Sequence, residues 1–147
     1  MADCVLLTGV SGFLGGHVAL SLLEAGYAVR GSVRDPGRAD RVREAVALAG
    51  ADTRRLEFVA LDLMSDEGWA EAAAGCRFVQ HVASPLVTRM PRDRLELVRP
   101  ALEGAQRAIT AALAANVERI VLTSSMAAVM YGHPPDRTAP FGPDDWT

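Results

Sequence analysis

Residues 8 to 15 read T-G-V-S-G-F-L-G, a run in which three glycines, Gly9, Gly12 and Gly15, recur at every third position. On the amino side, Cys4 to Thr8 is nearly unbroken apolar sequence, the pattern of a parallel strand covered by helices on both faces. On the carboxyl side, Leu14, Val18, Leu22 and Ala25 recur at helical spacing and Gly26 supplies a left-handed stop, which predicts a helix over Leu14 to Ala25. A strand, a glycine loop and a helix in this order can cradle a diphosphate. Gly9 would make the tight turn, Gly12 would let a pyrophosphate approach the backbone, and Gly15 would let the helix pack closely on the strand. The diphosphate would then meet the free N–H groups at the helix N-terminus. A glycine-rich turn without a ligand has the same spacing; placement between strand and helix favours the cradle.

Working outward, apolar runs at Ala28 to Val33, Leu56 to Ala60, Phe78 to Val82 and Ile120 to Thr123 predict four more strands. Helical patterns separate them. Val42, Val46 and Ala49 mark a short helix ending before Gly50, and Ser65 is placed to cap another, with Asp66 and Glu67 in its first turn and Trp69 as a packing anchor. Pro100 suits the first position of a further helix, continued by Leu102, Ala105, Ile109 and Leu113 and ended by Asn116. Gly132, Pro134, Pro135, Pro140, Gly142 and Pro143 break regular structure, so 126–147 is expected to be an irregular tail. This alternation predicts an α/β fold over 1–147: a doubly wound parallel sheet of Rossmann type, five strands in the order 3-2-1-4-5. Strand five would leave its outer edge unpaired unless the tail covers it, and such an edge invites another chain.

The 147 residues suffice for one domain, with no internal repeat and no linker. Hydrophobic residues are 50% and charged residues 22%, with a net charge of -3, which argues against disorder and against a nucleic-acid partner. No stretch of 18 uncharged apolar residues occurs and the start lacks a basic segment, so no membrane partner and a cytoplasmic location are expected. Cys4 and Cys76 are far apart in sequence, without a C-x-x-C pair or clustered His. They read as small buried hydrophobes, with no metal site and no redox dithiol. All fifteen basic residues are Arg; the chain has no Lys.

In a nucleotide-binding sheet, the end of strand two selects between the two nicotinamide dinucleotides. Arg34 follows Val33 directly, and a guanidinium fork suits a 2′-phosphate, so NADPH is favoured, with Arg38 or Arg41 as helpers. Asp35 keeps NADH open, and a solvated surface arginine is the plainer reading of Arg34.

Five strings together resemble the extended short-chain dehydrogenase/reductases of the NAD-dependent epimerase/dehydratase superfamily, and within them the dihydroflavonol reductase and cinnamoyl-CoA reductase branch. They are T-G-V-S-G-F-L-G at 8–15, V-R-G-S-V-R-D-P at 29–36, L-D-L at 61–63, H-V-A-S-P at 81–85 and V-L-T-S-S at 121–125. The resemblance implies an NADP-dependent oxidoreductase that reduces a ketone or aldehyde, a small-molecule carbonyl substrate, by hydride transfer. It implies that Thr8, Gly9, Ser11, Gly12, Phe13, Leu14, Gly15 and Arg34 hold the cofactor. Asp62 and Leu63 would flank the adenine, Val82, Ala83 and Ser84 would line the nicotinamide ribose and phosphates, and Thr123 would lie under the nicotinamide. Ser125 would be the catalytic serine that hydrogen-bonds the substrate carbonyl, with Ser124 as the neighbour competing for that role. Read locally, Asp62 is a turn residue, Ser84-Pro85 starts a loop, and His81 is a core histidine.

The family's Y-x-x-x-K motif has no counterpart. Tyr27 opens strand two, the position four beyond Tyr131 is Pro135, and His133 in a proline-rich loop reads as exposed rather than as a substitute acid. The expectation is therefore the N-terminal part of a longer reductase, without the C-terminal part of the family fold, that binds cofactor and turns nothing over alone. Self-association or a complementing C-terminal portion would meet the strand-five edge. A non-catalytic NADP(H)-binding module or sensor and a degraded remnant are the alternatives. Among enzymes the nearest competitor is a sugar-nucleotide epimerase or dehydratase, against which Arg34 argues. The loop 134–143 and the segment after Pro85 would wall one side of the substrate pocket.

Overall fold

The five apolar runs lie side by side, with the first in the middle. In the computed structural model, which describes residues 2–85, 91–93 and 95–146, β1 (Cys4–Thr8) is flanked by β2 (Ala28–Val33) and β4 (Phe78–His81). Outside these stand β3 (Leu56–Ala60) and β5 (Arg119–Leu122), giving the order β3-β2-β1-β4-β5 with every pairing parallel. The expected topology is the observed one. Among the described residues, five α-helices connect and extend the strands: α1 (Phe13–Glu24), α2 (Ala39–Leu48), α3 (Trp69–Ala73), α4 (Leu95–Ala114) and α5 (Ala127–Met130).

Side chains of β1 alternate between two cores, which is why that strand is apolar throughout. Leu7 enters a cluster with Val10, Ala19, Leu23, Val29 and Val46 beneath α1 and α2. Leu6 enters the other, with Trp69, Ala72, Val79, Ala108 and Ala112 beneath α3 and α4. No helix among the described residues is long and apolar enough to cross a membrane. Nor do they include a His/Cys/Asp/Glu group that could hold a metal ion.

Several boundaries depart from the sequence expectation. Helix α4 begins at Leu95, so Pro100 lies inside it. The start signal is Asp93, whose carboxylate accepts the Leu95 N–H at 2.9 Å. The buried stripe of Gly104, Ala108, Ala111 and Ala112 offsets the backbone bond that Pro100 removes. Helix α3 begins only at Trp69, after Gly68 in a left-handed conformation (φ 80°). Ser65 caps a local turn instead, accepting the Glu67 N–H, while the buried Trp69 indole donates to the Ser65 and Asp62 carbonyls. The tail holds one helical turn, α5, where only irregular chain was expected; the Ser125 hydroxyl starts it by accepting the Ala127 N–H at 3.1 Å. Among the described residues no strand pairs with the outer edge of β5, and Val121 and Leu122 remain exposed.

Cys76 lies in the second core and Cys4 packs against it, as read from the sequence, but the two are also neighbours. Adjacency of β1 and β4 brings their sulfurs to 3.4 Å. Strand spacing also explains Gly31. A Cβ there would stand 2.8 Å from Val10 Cγ1 and 3.1 Å from Val10 Cβ, so β2 needs a bare backbone where the glycine loop packs on it. Gly31→Ala is expected to destabilise the chain by about 1–3 kcal/mol, with part recovered on adding Val10→Ala. Urea unfolding of both variants checks this, and a neutral Gly31→Ala would contradict the packing argument.

Candidate functional site

The carboxyl ends of the strands meet around one hydroxyl. Thr8 ends β1, is fully buried, and its Oγ1 accepts the N–H groups of Val82 (3.1 Å) and Ala83 (3.0 Å) just beyond β4. With both acceptor directions taken, the Thr8 O–H donates to His81 Nδ1 at 2.9 Å. His81 therefore carries its proton on Nε2. It is buried, and burial holds its pKa below the ordinary imidazole value, so it is the neutral core histidine of the plainer sequence reading. Thr8 thus positions the loop after β4 and does not present its side chain to a ligand.

The glycine loop is tied to β2 as well. The Gly9 N–H donates to Ser32 Oγ at 3.1 Å and the Val10 N–H to the Ser32 carbonyl at 3.2 Å. Ser32 and Gly31 belong to this candidate site and were passed over in sequence reading; the signal was a pair of small residues between Arg30 and Val33 of the second strand. The three loop glycines then separate by function. Gly9 has φ +73°, and a Cβ there would lie 2.9 Å from the Ala83 Cα. A Cβ on Gly15 would overlap the Gly9 carbonyl oxygen. Both serve the packing of the chain on itself. Gly12 is different: it is exposed, its backbone is extended (φ -86°, ψ 169°), and a Cβ would meet nothing closer than the Gly9 carbonyl oxygen at 3.4 Å. The fold leaves that space clear.

Gly12 is the N-cap of α1 and no side chain caps the helix. The first-turn amides of Phe13, Leu14 and Gly15 have no partner within the helix and lie at its positive end. Ser11 is half-buried beside them, while the side chains of Phe13 and Leu14 are exposed, Phe13 edge-on to His17. This arrangement can accept an anion.

Arg34 follows β2, is exposed, and has no ion pair or hydrogen bond among the described residues. Asp35 is otherwise occupied: its carboxylate accepts the Gly37 N–H at 2.9 Å and caps the turn Pro36–Arg38. Across the sheet, the Asp62 carboxylate accepts the Met64 N–H at 2.8 Å, a turn role, and Leu63 packs on Gly104, where a Cβ would come within 2.5 Å of Leu63 Cδ2. Arg107 of α4 holds this segment in place by donating to the Leu63 carbonyl and pairing with Asp66 and Glu103. Sequence reading missed that arginine because 44 residues separate it from its carbonyl partner.

Val82 and Ala83 are half-buried and Ser84 exposed beside the loop. Thr123 is exposed past β5, its N–H donating to the His81 carbonyl at 3.0 Å. Ser125 Oγ accepts the Ala127 N–H, which leaves its hydroxyl hydrogen free to donate. Ser124 and Ser125 open onto a cavity of about 450 Å³ whose other walls are apolar: Met126, Val129, Met130, Phe141 and Trp146. The loop 134–143 contributes Phe141 to this cavity. Of the segment after Pro85, residues 86–90 lie outside the described residues.

A family model described as "NAD dependent epimerase/dehydratase family" matches residues 5–145. The chain is 38% identical over 144 residues to a dihydroflavonol 4-reductase of Hordeum vulgare, covering 97% of this chain and 40% of that protein. It is 41% identical over 127 residues to cinnamoyl-CoA reductase 1 of Petunia hybrida, covering 85% of this chain and 36% of that protein. The crystal structure of a yeast methylglyoxal/isovaleraldehyde reductase complexed with NADPH superposes with a TM-score of 0.77 at 28% identity, over 97% of this chain and 43% of that one. The chain therefore spans about two fifths of the length of these relatives.

Thr8→Val removes one hydroxyl and strands three polar groups, and is expected to cost at least about 2 kcal/mol, whereas Thr8→Ser should retain most of the stability. Urea midpoints decide; equal losses for Val and Ser would exclude the hydroxyl. His81 predicts a pH dependence of definite sign. Its folded pKa is depressed, so the unfolded chain binds the extra proton, and stability is full above about pH 6.5 and falls as pH drops through the folded value. Unfolding between about pH 7.5 and 5.5 should show this loss, and His81→Gln should flatten it.

Proposed function

This chain belongs to the NAD dependent epimerase/dehydratase family, and from that premise we propose that it is the cofactor-binding portion of an NADP-dependent carbonyl reductase of the extended short-chain type. The observation that carries the proposal is the clear space at Gly12 in front of the first-turn amides of α1, which have no partner among the described residues. Gly9 and Gly15 are explained by packing within the chain, whereas Gly12 is not; an approaching pyrophosphate explains it. The residues present fit a nicotinamide dinucleotide laid across the strand ends.

Arg34 supports NADPH over NADH, because its guanidinium has no partner among the described residues while Asp35 is committed to capping a turn. Arg38 and Arg41, both exposed, stand close by in sequence to assist. Asp62 and Leu63 are assigned to the adenine side, and Val82, Ala83, Ser84 and Thr123 to the nicotinamide side. When bound, the reduced nicotinamide supplies the hydride. Ser125 contributes a free hydroxyl hydrogen toward the substrate carbonyl oxygen. The apolar cavity beside it favours a hydrophobic ketone or aldehyde over a sugar nucleotide, whose hydroxyls and phosphates call for polar partners.

Proton donation to the reduced oxygen is assigned to residues outside these 147, since neither Tyr27 nor Tyr131 has a lysine four positions on. The exposed β5 edge and the apolar stripe of α4, where Leu95, Val98, Leu102 and Leu113 stay exposed, favour a covering partner. A C-terminal portion, or a second copy, is proposed there.

Titration with NADPH and NADH, followed by nicotinamide fluorescence, tests the cofactor assignment. Arg34→Ala should weaken NADPH about tenfold or more, roughly 1.4 kcal/mol per tenfold, and leave NADH unchanged. Gly12→Val should fold normally and bind neither coenzyme. An unaltered preference in the first variant removes the NADP assignment, and undiminished binding in the second removes the cradle.

A further inference from the structure

A second group of reactive side chains gathers at the opposite end of the sheet. Cys4 opens β1 and Cys76 lies two residues before β4, and because these strands are parallel neighbours their starting ends coincide. The sulfurs stand 3.4 Å apart, within hydrogen-bond distance. Strand geometry puts this pair roughly 13 Å along β1 from Thr8, so it is separate from the site above and the inference does not rest on the proposed function. Cys76 is buried and Cys4 half-buried, so Cys4 is the more exposed residue of the pair.

Arg30 of β2 lays its guanidinium against the pair. Nη1 is 3.6 Å from Cys76 Sγ and 2.8 Å from the carbonyls of Ala72 and Ala74, while Nε pairs with Glu57. A fixed cation and a donated thiol hydrogen bond both favour a thiolate at Cys4, whose pKa is lowered to about 7, chiefly by the hydrogen bond from Cys76. Cys76 is driven in the other direction, by its hydrogen bond with Cys4 and by burial, and its one thiol hydrogen also has the Ala72 carbonyl within reach at 3.4 Å. One sulfur is thus prepared to attack and the other to remain protonated.

We propose that Cys4 and Cys76 form a two-thiol oxidation site that closes to an intramolecular disulfide on exposure to hydrogen peroxide, with Cys4 as the attacking and Cys76 as the resolving sulfur. The Cys4 thiolate attacks one peroxide oxygen, the O–O bond breaks, and hydroxide leaves and takes a proton to become water. Cys4 is then a sulfenic acid, oxidised by two electrons. Cys76 loses its proton and its sulfur attacks Cys4; the S–S bond forms, the S–O bond breaks, and hydroxide leaves with that proton as a second water. Two thiols and one peroxide give one disulfide and two waters. From 3.4 Å, the sulfurs need only close to about 2.0 Å, and a thiol reductant reverses the link.

The test treats the native chain with a small excess of hydrogen peroxide, blocks remaining thiols under denaturing conditions and reads the intact and peptide masses. Expected are loss of both thiols, a mass decrease of two hydrogens, a Cys4–Cys76 cross-linked peptide in monomeric protein, and recovery with dithiothreitol. Cross-linking should be at least about tenfold faster than in the urea-unfolded chain, because the fold supplies the proximity. Cys76→Ser should accumulate a Cys4 sulfenic acid trapped by dimedone, and Cys4→Ser should leave Cys76 unmodified at the same dose. Free thiols after treatment, Cys4 carried to sulfinic acid without a cross-link, or equal rates in the folded and unfolded chain would each overturn the proposal. The wild-type mass alone is decisive if a variant does not fold.

Discussion

The Thr8 hydroxyl is the constraint around which the carboxyl ends of the strands are arranged. One buried oxygen accepts two backbone N–H groups from the chain leaving β4 and donates to His81, so β1, β4 and the following loop share a single junction. A buried network of this kind fixes geometry because each member, left alone, would carry the full cost of desolvation. It also settles the histidine's role: an imidazole that accepts at Nδ1 in a buried setting is held neutral.

The junction matters because Gly9 stands against Ala83 with no room for a side chain. From Gly9 onward, the loop is fixed on its other flank by Ser32, and Gly31 yields the space that Val10 fills. Three elements therefore clamp the loop before α1 begins. What remains open is the face of Gly12 and the first-turn amides. A rigid cradle of donors with one unobstructed approach is what anion recognition at a helix N-terminus requires.

The two ends of the sheet carry different chemistry for one reason. In a parallel sheet all strands point the same way, so their carboxyl ends collect loops of one kind and their amino ends another. The carboxyl end here gathers the glycine loop, Arg34, the segment after β4 and the two serines. The amino end gathers Cys4, Cys76, Arg30 and Glu57, together with the ion pairs of Arg77 to Asp3 and Glu118.

Much of this was legible in the sequence. The strand runs and the glycine loop follow from local periodicity, because burial on both faces leaves an apolar run and a tight turn leaves a glycine, each visible within a dozen residues; the strand order followed from the doubly wound fold that their alternation with helices implies. Boundaries were less legible where local signals compete: Ser65 could cap a helix or a turn, and Pro100 could open a helix or sit within one held by its buried alanines. The pairing of Cys4 with Cys76, the Thr8 to His81 bond, the service of Ser32 and Arg107, and the distinction of Gly12 from Gly9 and Gly15 were decided only by the tertiary structure. Each depends on which strand ends become neighbours once the sheet forms, and a parallel sheet brings together residues tens of positions apart that carry no mark of one another in the chain.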